Sequence, residues 1–255
     1  MTTHKPRRTL QTTETTLDVI ELLKEKDGGR VTELAADLDL APSTVHSHLT
    51  TLHERDYVVK FGDIYYLSLQ FLNLGNYVQN RLKSYQIANS YTKQMAEETD
   101  CRAIFAVEEN GRGVYMYTES GKHAVWKYSN VGQKFYLHQT AAGKAILSQL
   151  PRSRVHEIVT THGLPAATEN TITDVDVLVD QLDAIKSEGV SYNYEEQLDG
   201  VKAVGVPVKG RDGRIIGAFS VASPANRMTP DRFETELPKI LLGIANEFEL
   251  EISLS

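Results

Sequence analysis

Two short apolar stripes, three or four residues apart, constrain the fold of the first sixty residues more than any other feature. Val31, Leu34, Ala35 and Leu38 fall at i, i+3, i+4 and i+7, which places them on one face of a helix. Val45, Leu49 and Leu52 repeat at i, i+4 and i+7 behind Pro42, a residue suited to a first helical turn, so a second helix is expected over 42–55. An earlier stripe, Leu17, Ile20 and Leu23 widened by Val19 and Leu22, predicts a supporting helix over 12–25 that Asp27, Gly28 and Gly29 terminate. Residues 57–67 are β-prone on both sides of Gly62 and Asp63, which reads as a hairpin. Three helices with a tight turn between the last two, followed by a hairpin, match a winged helix-turn-helix.

Phe71, Leu74, Val78 and Leu82 continue at helical spacing around Gly75, predicting a linker helix whose apolar seam needs a partner. Beyond residue 84 the pattern changes. A helix to 99 precedes strands near 102–107, 114–118 and 124–128, then helices near 140–149, 152–162 and 174–187. Strands return at 190–194, 201–208 and 215–221, and Phe233, Leu237, Ile240, Leu241, Ile244 and Phe248 mark a last helix. The expected class is α+β with an antiparallel sheet, divided into a DNA-binding domain over 1–68, a linker helix over 69–83 and a second domain over 84–255.

The single thiol, Cys101, excludes an intramolecular disulfide framework and favours the cytoplasm. No apolar run follows the basic start and none is long enough to span a bilayer, so neither export nor membrane insertion is expected. The net charge of −7 argues against indiscriminate coating of nucleic acid, but it leaves room for a local DNA-reading surface. On the wheel of the third helix, Ser43, Thr44, Ser47, Thr50 and Thr51 face outward, with His46 and His53 at one flank. No carboxylate lies between Asp39 and Glu54. Pro42 opens that helix, whose N-terminus adds backbone donors for phosphate. Lys60 in the hairpin and Arg7 and Arg8 at the start complete the expected contacts to double-stranded DNA. One such module supplies few contacts, so a dimer reading two half-sites is expected, its seam drawn from the linker helix and the second apolar face of the first helix.

Four blocks resemble the IclR family of transcriptional regulators. They are Ala41-Pro42-Ser43-Thr44-Val45; residues 137–145, from Leu137-His138-Gln139-Thr140 to Ala145; residues 194–201 with Val206-Pro207-Val208; and residues 212–224. The resemblance implies an N-terminal winged helix, a linker helix, a GAF-like effector-binding domain, homodimers or homotetramers, and no enzymatic activity or cofactor. It also implies effector contacts at Ala141, Ala142, Asn193, Ala203, Ser220 and Ala222. A frequent acid of the family is Asn193 here, a frequent Cys is Ala203 and a frequent Ser is Ala222. Loss of those anchors points to an organic acid larger or more apolar than a two-carbon one, with Trp126, Tyr128 and Phe135 as walls. From the residues alone, Thr140 can cap a helix whose small first residues expose N–H groups to an anion, or those small residues can simply let the helix pack closely on the sheet.

Other signals carry less. Glu195 and Glu196 are adjacent, so they point to opposite faces and suit structure better than paired acid–base chemistry. Gly143-Lys144-Ala145 ends like a phosphate loop but lacks the earlier glycine and the following Ser or Thr. His46, His48 and His53 do not share one face, which leaves no metal site. Cys101 reads as a buried thiol with only Arg102 as a cationic neighbour. Two rivals remain open: an enzyme with a DNA-binding head, and an architectural DNA binder whose second domain only oligomerises.

Overall fold

The computed structural model describes residues 9–121 and 130–254. They form two compact units that divide between Val78 and Gln79, inside the linker helix rather than at either of its ends. In the first unit, α1 (Gln11–Glu25), α2 (Val31–Asp37) and α3 (Pro42–Glu54) surround one core of Val19, Leu23, Leu34, Val45, Leu49 and Leu52. In α1 the buried face is Thr15, Val19 and Leu23, while Leu17, expected in the stripe, is exposed. The hairpin β1 (Val58–Phe61) and β2 (Ile64–Leu67) pairs Phe61 with Ile64, and Gly62 takes the positive φ, +58°, of a two-residue turn. Tyr65 and Gly29 exchange both backbone hydrogen bonds at 3.0 Å, which fastens the wing to the α1–α2 turn. Helix α4 (Gln70–Asn80) follows and buries none of its residues.

The second unit is a six-stranded antiparallel sheet with helices on both faces. The strands are β3 (Arg102–Glu109), β4 (Arg112–Ser120), β5 (Lys134–Phe135), β6 (Ser191–Tyr194), β7 (Val201–Lys209) and β8 (Ile215–Pro224), in spatial order β5-β4-β3-β8-β7-β6. The two-residue β5 carries no periodic signal of its own, and the strand expected over 124–128 lies outside the described residues. One face meets α5 (Lys83–Thr99) and α9 (Leu237–Leu254) through Phe105, Val204, Phe219, Val221, Leu241 and Phe248. The opposite face carries α6 (Ala141–Gln149), α7 (Arg152–His162) and α8 (Val175–Glu188) over Ala106, Ile146, Leu147, Leu178 and Ala218. Strand alternation over 103–107 of β3 and 218–221 of β8 therefore assigns odd positions to the first layer and even positions to the second. Helix α9 is entered through a π-helical turn, Arg232–Glu236, which keeps Phe233 buried.

Helix α6 is the most tightly seated element, with eight of its nine residues buried. A Cβ on Gly143 would collide with the backbone of Leu137. Alanine there would gain up to about 1 kcal/mol of helix propensity. Against that stands an overpacking penalty of about 1–3 kcal/mol, because the obstructing atoms are backbone. Gly143→Ala is therefore expected to lower the urea midpoint; a raised midpoint would show that α6 has room to move off the 137–139 turn.

Candidate functional site

A cavity of about 260 Å³ lies on the α6 side of the sheet. Its floor follows from strand register. Arg102 of β3 stands opposite Ala222 of β8, Ala222 opposite Ala203 of β7, and Ala203 opposite Asn193 of β6. One level along, Ile104 and Ser220 also face in. The N-terminus of α6 forms one wall: Thr140 caps it, its Oγ1 accepting the Gly143 N–H at 2.9 Å, and Ala141 lines the cavity. The N–H groups of Ala141 and Ala142 find no acceptor among the described residues, as expected of a first helical turn.

The far wall is formed by Arg102, Tyr115 and Gln197. Arg102 is buried, and its Nε and Nη2 donate to Thr118 Oγ1 at 3.1 and 2.8 Å. Burial lowers its pKa from the ordinary guanidinium value, but a guanidinium keeps its proton. Burial raises the Tyr115 hydroxyl pKa, against the hydrogen bond from Gln197 at 3.2 Å and the nearby Arg102 charge. Among the described lining residues Arg102 is the one charged side chain.

The loop after β6, which supplies Gln197 and Leu198 to the cavity, is pinned from below by a buried ion pair. Lys144 Nζ meets both carboxylate oxygens of Glu196 at 2.6 Å, with the side chains 0% and 4% exposed. Burial pulls the Lys144 ammonium below its ordinary pKa, and Glu196 opposes that pull. Glu196 Oε1 also accepts the Tyr194 N–H at 3.2 Å, and Thr171 donates to the Glu196 carbonyl at 2.5 Å. Glu195 turns the other way in a left-handed conformation, φ +63°, and accepts the Gly200 N–H at 2.7 Å. The two glutamates thus hold the loop, and Lys144 belongs to that brace rather than to a phosphate site.

Several expected residues fall elsewhere. Thr140, Ala141, Asn193, Ala203, Ser220 and Ala222 are brought together in the cavity. Ala142 is not: one helical step rotates it into the core beneath α6. Phe135 backs the far wall without lining it, its ring stacked on Tyr115 with centroids 4.3 Å apart in the space left by Gly113. Trp126 and Tyr128 lie outside the described residues. Asn193 lines the cavity but its amide is engaged, Nδ2 donating to the Gln139 carbonyl at 2.6 Å and Oδ1 accepting the Glu196 N–H at 3.2 Å. Arg102, Tyr115 and Gln197 were missed because they lie outside the family-like blocks or, for Gln197, in a loop with no periodicity. Cys101 is buried as expected, but Arg232, 131 positions away, stands 3.7 Å from its Sγ.

On the first unit, Pro42, Ser43, Thr44, His46, Ser47, Thr50, Thr51 and Lys60 are all exposed, while Arg7 and Arg8 lie outside the described residues. Ser47, Thr50 and Thr51 donate their hydroxyl protons to carbonyls four residues back at 2.8–2.9 Å. Their oxygens are left as acceptors, and the two threonines add methyl groups to the outer face. Ser43 and Thr44, at the helix N-terminus, make no such bond. His48 turns toward α1 and pairs with Thr16 at 2.8 Å, away from His46 and His53. Among the described residues no three metal-binding side chains gather.

The "IclR helix-turn-helix domain" family matches residues 12–60, and the "Bacterial transcriptional regulator IclR C-terminal" family matches residues 77–249. The chain belongs to the IclR family. Among its relatives is a probable HTH-type transcriptional regulator ArcR of Halobacterium salinarum, 29% identical over 97% of this chain and 95% of the relative. The Thermotoga maritima IclR structure superposes with a TM-score of 0.82 at 24% identity, covering 96% of this chain and 99% of that one. An IclR homolog of Microbacterium hydrocarbonoxydans, solved with 4-hydroxybenzoate, gives 0.82 at 18% identity over 96% and 100%. Both structures share the fold of this IclR-family chain, an N-terminal helix-turn-helix unit followed by helices around an antiparallel sheet.

The buried pair is directly testable. Lys144→Met leaves the Glu196 carboxylate without its counterion and is expected to cost about 3–5 kcal/mol in urea unfolding. Adding Glu196→Gln, which keeps an acceptor for Tyr194, should recover much of that loss. A double variant no more stable than the single would show that the two side chains act independently.

Proposed function

We propose that this regulator binds an operator through α3 and that an organic acid in the C-terminal cavity sets its operator affinity. The observation that carries the effector reading is the charge of the lining: one guanidinium, a helix N-terminus with open N–H groups, and no carboxylate among the described lining residues. Such a wall favours an anion. Size supports an acid of more than two carbons, since a cavity of about 150 Å³ already accepts benzene and this one measures about 260 Å³. The homolog solved with 4-hydroxybenzoate lends the same support. Among the described lining residues, the hydroxyls of Thr140, Ser220, Ser223 and Tyr115 have neither a histidine nor a carboxylate beside them, which favours binding over catalysis.

The DNA contacts would come from the exposed face of α3. Ser43 and Thr44 would act as phosphate donors, Pro42, His46, Ser47, Thr50 and Thr51 would lie along the groove, and Lys60 would sit on the flanking backbone. Arg7 and Arg8 would add contacts from the start of the chain. Two copies would read two half-sites. Helix α4 favours that assembly, because Leu72 and Tyr77 are 68% and 71% exposed on an apolar helix with no buried residue. The domain limits follow: a DNA-binding part over 1–68, a linker helix over 69–83 and an effector-binding part over 84–255.

Duplex fragments captured from sheared genomic DNA by the full chain supply the operator. In gel shifts Thr44→Asp, which faces a carboxylate toward phosphate, is expected to weaken binding at least about tenfold. A panel of carboxylic acids should raise the thermal midpoint of the full chain, and those that do should shift operator affinity by about 5–150-fold. Stabilisation by the two-carbon acids alone would contradict the size argument, and stabilisation without any change in operator affinity would contradict the control. In sedimentation, Tyr77→Glu is expected to shift the chain toward monomer without unfolding it; an unchanged mass would remove α4 from the assembly.

A further inference from the structure

The helix proposed to read DNA carries almost no fixed charge. Residues 1–78, the first unit, contain eight Lys and Arg against eleven Asp and Glu. Two of those cations are tied within the unit, Lys26 to Asp37 at 2.6 Å and Arg30 to Glu33 at 3.0 Å. Between Asp39 and Glu54 there is no carboxylate, Lys or Arg, and the groups that can ionise are the imidazoles of His46, His48 and His53. A polyanion approaching α3 thus meets a unit of its own sign. Imidazoles are the side chains able to change that near neutral pH.

Two of the three are placed to do so. His46 and His53 are exposed and seven residues apart, which returns them to one flank of α3, about 10 Å apart along its axis. Thr50 donates its hydroxyl proton to the His46 carbonyl at 2.8 Å, so the lone pairs of its oxygen face His46 Nδ1 at 3.5 Å and favour a hydrogen there. In that neutral ring Nε2 is an acceptor, which a phosphate oxygen repels. With a second proton, Nε2–H donates to the phosphate instead. His53 stands in the last turn of α3, where the helix end favours a cation. His48 is half-buried and held by Thr16 of α1 through Nδ1. The elements packed on α3 carry Glu14, Asp18, Glu21, Lys24 and Glu25 on α1, Glu33 and Asp37 on α2, and Lys60 over the Tyr65 ring on β1. Among the described residues none of these forms an ion pair with His46 or His53.

We propose that His46 and His53 hold operator phosphates as imidazolium groups, so that this chain takes up protons when it binds DNA. This rests on the reading of α3 as the DNA-contacting helix. The sign follows from linkage: a phosphate beside an imidazole favours its charged form, so affinity rises as pH falls. Each imidazole that passes from neutral to charged contributes at most about tenfold per pH unit. Operator occupancy is thereby tuned by pH through the same helix that reads sequence.

Gel shifts with the duplex captured from genomic DNA, run at fixed ionic strength from about pH 8 to about pH 6, test this. Affinity should rise at least about tenfold over that range. The log–log salt slope should steepen by up to about two, at about 0.9 per phosphate neutralised. His46→Gln combined with His53→Gln should flatten the rise to under about threefold and remove the steepening. His46→Lys, whose charge is fixed across the range, should tighten binding at about pH 8 at least about threefold. Affinity independent of pH in the unaltered chain, a rise of about threefold or more kept by the double variant, or no gain from His46→Lys would overturn the proton uptake while leaving α3 on DNA. If no duplex is captured at any pH, both this and the α3 reading fall. Should the double variant not fold, the salt slopes of the unaltered chain at the two pH limits decide.

Discussion

The N-terminus of α6 rests directly on the backbone of β6 and β7, and the cavity takes its shape from that approach. Gly205 leaves no side chain in the way, and Ser191 fastens the contact by donating to the Ala141 carbonyl at 2.5 Å. Gly143 makes the same allowance toward Leu137 on the other side of the helix. Lys144, one residue on, can then reach under the sheet edge to Glu196 and hold the loop that supplies Gln197 and Leu198. Small residues at 141–143 and 205 serve both readings that the sequence allowed, because close packing is what aims the open N–H groups at enclosed space. In the proposed role, the helix end would work as a receptor only while it stays dry and fixed.

Much of this architecture was legible because it depends on periodicity. The stripes of α2 and α3 and the hairpin about Gly62 each bury one face, and burial is what sequence patterns report. The expectation for α1 was partly wrong: its buried face is turned toward Thr15 and Val19, so Leu17 is exposed, since an apolar residue on a short helix is not obliged to face the core. The two-residue β5 gave no signal because its place is fixed by pairing with β4 and by the space at Gly113.

At the cavity, positions on strands and at the helix cap were recoverable, whereas Arg102, Tyr115 and Gln197 were not. Their proximity is a product of the β3–β4 register and of the brace under the 195–200 loop, neither of which leaves a local pattern. Phe135 was misread for the same reason: an aromatic near a cavity in sequence became the support behind Tyr115 in space. On α3 the composition of the outer face was plain, but the direction of its hydroxyl protons was not. With Ser47, Thr50 and Thr51 donating into their own helix, the proposed donation to phosphate falls to Ser43 and Thr44, next to the helix end.

The central claim is electrostatic: the cavity walls recognise negative charge, not merely shape. It is tested most directly by measuring, by calorimetry at fixed ionic strength, the affinity of the full chain for an aromatic carboxylate and for its isosteric primary amide. The account predicts that the acid binds and that the amide is weaker by at least about tenfold, since it presents a neutral group to a guanidinium and a helix N-terminus. Equal affinity for the two would contradict it.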